Sequence, residues 1–114
     1  MAAFGQRIRL EPEPLRSLAF GSISATYAGV GTSFDHPTRI LLIQNLTDVT
    51  LLFSLNGVDD HFPLLSNSVM LLDVTANKTR EEGLYFAEGS RVYVKESGTP
   101  ASGSVYVTTF YGAE

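Results

Sequence analysis

The sequence predicts an all-β fold: an antiparallel β-sandwich of jelly-roll or immunoglobulin-like type, with roughly seven or eight strands. Three observations predict it. Short segments alternate apolar and polar residues, as in Ile23, Ala25 and Tyr27 against Ser22, Ser24 and Thr26, which places the two sets on opposite faces of a strand. Turn-forming residues such as Asn56-Gly57 and Ser66-Asn67-Ser68 recur at a spacing of roughly 8–12 residues. No segment carries a sustained apolar stripe of helical period. A small barrel is the alternative closure of the same strands.

The elements follow in order. Residues 1–14 read as an extended N-terminal segment or arm. Arg7-Ile8-Arg9-Leu10 alternates, and Glu11-Pro12-Glu13-Pro14 follows, where two prolines remove amide donors and hold the chain extended. This stretch is either a short opening strand with a turn or an arm reaching a neighbouring subunit. Residues 15–114 read as a single β-sandwich domain. A strand over residues 22–27 is broken by Gly29-Val30-Gly31, and Asp35-His36-Pro37 makes a turn. Residues 39–44 are apolar on both faces, the mark of a central, covered strand. A strand over residues 49–55 ends at Asn56-Gly57, a strong hairpin signal, with its partner over residues 61–65. Residues 69–74 form a further strand, also apolar on both faces. Residues 76–83 are polar and hold one helical turn at most. Residues 91–95 alternate cleanly, residues 97–103 form a loop, and residues 104–111, β-branched and aromatic, form the last strand.

Composition narrows the function classes. The chain has 114 residues, enough for one domain core without metals or disulfides. Its charged share is 18%, below the usual ~25%, and such a chain exposes apolar surface that suits covering by other proteins. The net charge is -4 with eight Lys and Arg spread along the chain, so no direct nucleic-acid binding is expected. There is no cysteine, which removes disulfides, thiolate zinc sites and thiol nucleophiles. Residues 1–10 lack the long apolar run of a signal peptide, and no stretch reaches the roughly 18 apolar residues of a membrane span. Synthesis in a cytoplasm and no membrane partner are therefore expected.

No constellation for chemistry stands out. His61 beside Asp59 and Asp60 is the best metal candidate, but it lacks a third ligand at a defined spacing. Asn56-Gly57-Val58-Asp59-Asp60 lacks the later bidentate Glu of a calcium loop. Glu81-Glu82 and Asp59-Asp60 are adjacent pairs, which point to opposite faces of a strand. Glu11 and Glu13 share a face, but sit among prolines. No Gly-x-Ser-x-Gly elbow appears, and residues 98–103 lack a phosphate-loop lysine. The reading is therefore of a protein that is not an enzyme and needs no cofactor. The aromatic residues late in the chain are either sandwich core or a docking face, since Tyr is favoured at interfaces. The candidate interface is Tyr85, Tyr93, Tyr106, Phe110 and Tyr111, with Arg7 and Arg9 on the N-terminal segment.

Three stretches carry a resemblance: Ile43-Gln44-Asn45-Leu46-Thr47-Asp48-Val49-Thr50-Leu51-Leu52-Phe53-Ser54-Leu55-Asn56-Gly57, then Glu88-Gly89-Ser90-Arg91-Val92-Tyr93-Val94-Lys95, then Ala101-Ser102-Gly103-Ser104-Val105-Tyr106-Val107-Thr108, with Asn77-Lys78 between the first two. Together, over about residues 38–112, they resemble small all-β structural proteins of tailed-bacteriophage virions. The resemblance implies a β-sandwich that docks on other virion proteins and on copies of itself, as a capsid decoration or a head–tail neck or tail component. It implies location in the virion and a place in a homo-oligomer or symmetric assembly, and it carries over no catalytic residue. The alternative function is a small carbohydrate- or protein-binding β-sandwich module.

Overall fold

In the computed structural model, residues 9–74 and 85–113 are described. The doubly apolar stretch near the middle forms a long internal strand, β4 (Thr38–Asn45), with Leu41, Ile43 and Asn45 buried on one side and Ile40, Leu42 and Gln44 half-buried on the other. Around it lie β1 (Arg9–Pro12), β2 (Arg16–Ala19), β3 (Ala28–Gly29), β5 (Leu51–Ser54), β6 (Phe62–Leu64), β7 (Ser68–Asp73), β8 (Tyr93–Glu96) and β9 (Ser104–Ala113). A 3-10 turn, Phe20–Ser22, follows β2.

The strands make two antiparallel sheets. In the first, the order is β1-β9-β4-β7, with β2 pairing β9 beyond the end of β1; in the second it is β3-β8-β5-β6. The pairings are nested: β2 with β9, β3 with β8, β4 with β7 and β5 with β6. Successive pairs fall in alternate sheets, which is the jelly-roll arrangement of two interleaved Greek keys. This sets aside the immunoglobulin-like alternative, whose first two strands share a sheet with the fourth and fifth.

The core lies between the sheets. Leu41, Ile43, Val105 and Val107 from the first sheet meet Leu51, Phe53, Val92 and Val94 from the second, and Phe34 and Val30 close one end. Leu41, Ile43, Leu51, Phe53, Val94, Val105 and Val107 come from the inward sets of alternating strands, so the period of two read in the sequence builds most of the core, while Val30, Phe34 and Val92 lie on connecting segments. Between Thr38 and Ile40 the pairing with β9 slips by one residue. The extra residue of this bulge, Arg39, is buried with its Nε unpaired.

Several sequence readings are corrected. Residues 22–27 are not a strand: Ser24, Ala25 and Thr26 are exposed and bent, and the chain here crosses from β2 in the first sheet to β3 in the second. The prolines around Glu13 lead directly into a strand, β2, instead of only a turn. Gly29 does not break a strand but pairs with Tyr93. Within residues 1–14, Arg9–Pro12 form strand β1, paired with the C-terminal half of β9 of its own chain, in keeping with the short opening strand that was one of the two readings. Residues 76–83, read as a polar stretch with at most one helical turn, lie outside the described residues, as does Arg7.

One polar residue of the core ties the turns at one end together. Asn45 ends β4 fully buried. Its Nδ2 donates to the carbonyls of Val49 at 3.0 Å, Leu64 at 2.9 Å and Leu65 at 3.2 Å. Its Oδ1 accepts from the Thr47 amide at 3.0 Å and the Thr47 hydroxyl at 2.6 Å. The side chain thus clamps the β4–β5 connection against the end of β6. Asn45→Ala strands these buried carbonyls and an amide, and is expected to lower stability by about 2–3 kcal/mol, read as a shift of the urea midpoint at constant slope.

Candidate interaction surface

Two groups of residues offer themselves: a buried polar cluster near the N-terminal strand, and the outer faces of the sheets.

The cluster is built by the proline-held connection between β1 and β2. Glu13 and Arg16 are 6% and 4% exposed. Arg16 Nη2 donates to Glu13 Oε1 at 2.8 Å and to the Ser33 carbonyl at 2.9 Å, Nη1 to the Thr109 hydroxyl at 2.9 Å, and Nε to the Thr32 carbonyl at 2.8 Å. Its guanidinium also lies 5.3 Å from the centre of the Phe34 ring. The Thr109 hydroxyl donates to Glu13 Oε1 at 3.0 Å, and His36 Nδ1 stands 2.7 Å from Glu13 Oε2. With Glu13 ionised, that nitrogen must carry the proton. Burial pushes the Glu13 carboxyl up, but hydrogen bonds from His36, Arg16 and Thr109, together with the Arg16 charge, outweigh it and hold it below the usual carboxylate range.

On the outer side of the cluster the His36 ring stacks on Tyr111, with centroids 3.7 Å apart and planes 8° from parallel. Tyr111 donates to Glu11 at 3.2 Å; burial and then this carboxylate raise the phenol above its ordinary value. The cluster binds three parts of the chain together: the β1–β2 connection, residues 32–36 and β9. A recess of about 370 Å³ lined by Pro14, Leu15, Arg16, Thr32 and Asp35 opens beside it, but Arg16 has its donors committed to Glu13, Thr32, Ser33 and Thr109. These bonds make the cluster a structural staple.

The other polar candidates are likewise spent on neighbours. His61 Nδ1 accepts the Leu55 amide at 2.9 Å, and Asp59 accepts from the Asn56 amide group at 2.9 Å. Asp60 accepts from the Tyr27 hydroxyl at 2.5 Å and pairs with Lys95 at 3.0 Å. Lys95 lies 4.8 Å from the centre of the Tyr27 ring. Burial and the Asp60 hydrogen bond push Tyr27 up to about 12. Asp59, Asp60 and His61 therefore point to three different partners. Among the described residues no group of three or more His, Cys, Asp or Glu side chains is placed to hold a metal ion.

These same contacts define the outer face of the second sheet. Residues 55–61 fold over it, held by Asp60 on Lys95 and Tyr27, with the Tyr93 ring packed against Gly57 and Arg91 beside it at 5.8 Å. Part of this face is occupied by the chain's own loop.

The outer face of the first sheet is different. Strand alternation and register place Leu10 and Pro12 of β1, Tyr106, Thr108 and Phe110 of β9, Ile40, Leu42 and Gln44 of β4, and Val69 and Leu71 of β7 on it. Phe110 lies opposite both Pro12 and Ile40, and Leu42 lies opposite Leu71. Val69 and Leu71 are 56% and 60% exposed and Leu10 46%. These exposed apolar side chains and the half-buried ones between them share one face of the first sheet.

Of the residues the sequence singles out, Tyr106 and Phe110 lie on this face. Tyr93 lies on the opposite outer face, Tyr111 stacks on His36 at the side, and Tyr85 is exposed next to Phe86, which bridges to Thr38. Arg9 is on the edge strand β1, 3.4 Å from Glu11. Val69, Leu71, Ile40 and Leu42 were not among the candidates. Their signal was in the sequence: two strands apolar on both faces, of which one face has the core and the other has nothing from the second sheet.

No family model matches this chain, and no curated protein and no solved structure matches it.

Proposed function

We propose that this chain is a structural protein of a tailed-bacteriophage virion, a capsid decoration or a head–tail neck or tail component, which docks on other virion proteins through the outer face of its first sheet. The observation that carries the reading is the exposed apolar row of Val69, Leu71 and Leu10 around half-buried Ile40, Leu42 and Phe110. Four strands at about 4.8 Å spacing and some 20 Å long give this face a footprint of roughly 400 Å². That is about half of the ~800 Å² that each partner contributes to a standard interface. A face of this size suits a protein present in many symmetry-related copies, where weak single contacts sum. The jelly-roll recurs in viral coat proteins, and the resemblance in residues 43–57, 88–95 and 101–108 points the same way.

A carbohydrate-binding module needs an aromatic plate beside polar groups with free hydrogen-bonding capacity. The Tyr93 ring is packed against Gly57 and the Asp60 carboxylate is engaged by Tyr27 and Lys95, so that alternative has less to stand on. Gradient-purified particles test the virion reading. The chain is expected to co-purify at a fixed copy number per particle, and Leu42→Asp is expected to reduce that occupancy at least tenfold while the isolated chain still folds. Absence from particles ends the reading.

A further inference from the structure

The four edges of the two sheets are not alike. A sheet edge presents unpaired amides and carbonyls to any passing strand, and proteins blunt edges with proline, charge or brevity. On one side of the first sheet, Pro12 and Pro14 divide the edge into two strands of four residues, and Arg9 and Glu11 stand on the outer one. In the second sheet, β3 is two residues long, and β6 is three residues with Pro63 in its centre. The remaining edge, β7, is six residues, Ser-Val-Met-Leu-Leu-Asp, with no proline, glycine or basic residue. It pairs with β4 alone among the described strands. The unguarded edge is also the one that carries the two exposed apolar residues Val69 and Leu71.

The phase of the ladder says which groups face out. The Val74 amide donates to the Arg39 carbonyl at 2.9 Å, and this pair continues the register of Ile40 with Asp73. Hydrogen-bonded and non-hydrogen-bonded pairs alternate in an antiparallel ladder. Leu72 and Met70 therefore bond to β4, and the main-chain groups of Val69 and Leu71 point away from it.

We propose that β7 pairs antiparallel with β7 of a second copy of this chain, about a two-fold axis through Met70. In an antiparallel pair, opposite residues share a face. Centring on Met70 sets Val69 of each copy opposite Leu71 of the other. Both residues have outward main-chain groups, so each such pair is hydrogen-bonded, and their side chains meet on the outer face. The contact is isologous and closes on itself. It joins the two first sheets into one and doubles the apolar face. This inference goes beyond the virion reading and does not depend on it. Particle fractionation tests that reading, whereas the pairing is read on the isolated chain in solution.

Sedimentation of the full chain over a concentration series is expected to show a dimer. In Val69→Pro the lost amide is one that faces away from β4, so the fold is retained and the dimer dissociation constant rises at least tenfold. Should that variant lose its β-sheet circular dichroism, Leu71→Lys, a change at an exposed side chain, gives the same reading. Because the chain has no cysteine, Val69→Cys and Leu71→Cys chains mixed and oxidised are expected to give the hetero-disulfide well above either homodimer, since opposite Cα atoms about 5.5 Å apart lie within disulfide reach. A monomer at every concentration, a dimer that folded edge variants leave intact, or cross-linking no greater in the mixture than in the single variants overturns the proposal.

Discussion

Arg16→Ala is expected to lower the unfolding free energy by about 3–5 kcal/mol, the range found when one partner of a buried ion pair is removed. The substitution leaves the Glu13 carboxylate, 6% exposed, without the guanidinium 2.8 Å away. It also takes the donors from the Thr32 and Ser33 carbonyls and the packing from the Phe34 ring. Glu13→Gln keeps the shape and is expected to cost less, about 1–2 kcal/mol. The ionic part has a pH signature. The Glu13 carboxyl is lowered from 4.5 in the folded protein, so its contribution is complete above that value and is lost as the pH falls through the lower folded one. In Arg16→Ala, burial is less opposed and the carboxyl rises again. The gap between wild type and variant should therefore narrow between pH 7 and pH 3. Urea titrations at both values check this; an unchanged gap at pH 3 means the loss is one of packing alone.

Gly103→Ala is expected to cost about 4 kcal/mol or more, at the far end of single substitutions. Gly103 has φ +90, a region that side chains rarely enter. A Cβ there would stand 2.0 Å from the Leu46 carbonyl oxygen and 2.8 Å from the Thr47 Cα. Both are main chain, so no rotamer change relieves the overlap. The loop before β9 would have to pull away from the β4–β5 connection, breaking the bonds from the Leu46 amide to Ser104 and from the Phe20 amide to Gly103. Gly98→Ala, where nothing lies within 4 Å, is the control and is expected to change stability by less than about 0.5 kcal/mol. Melting temperatures of the pair decide the matter.

Long strands paired on both sides were legible. For β4 and β9 the alternation, the β-branched content and the inward set all agree, and local preference and tertiary packing ask for the same thing. The stretch over residues 22–27 alternates as well, yet it bridges two sheets about 10 Å apart, and apart from the Ser24 carbonyl accepting from Glu96 it has little to pair with. Alternation states what a segment can do; only a neighbour at the right distance makes it a strand. The bounds of β2 were hidden for the opposite reason, since Arg16, a charged residue beside two prolines, is buried only once Thr109 is brought to it. That Arg16–Thr109 contact spans 93 residues, and no local pattern encodes it. The apolar outer face was half legible: the doubly apolar strands were plain, but which faces the second sheet leaves uncovered follows only from the strand order.

The nesting of the strand pairs bears on how the chain folds. The first described strands in sequence, β1 and β2, form ladder pairs with β9 alone among the described strands, and β9 is the last of these in sequence. Without β9 in place, β4 lacks the neighbour on one flank, and β1 and β2 lack their ladder partner. The β5–β6 hairpin is the only one of the four nested pairs whose strands follow each other directly in sequence, so it is the natural starting point, with closure proceeding outward from it. Such a route places the slow loop-closing steps at the end, and puts this chain among proteins that fold in milliseconds to seconds.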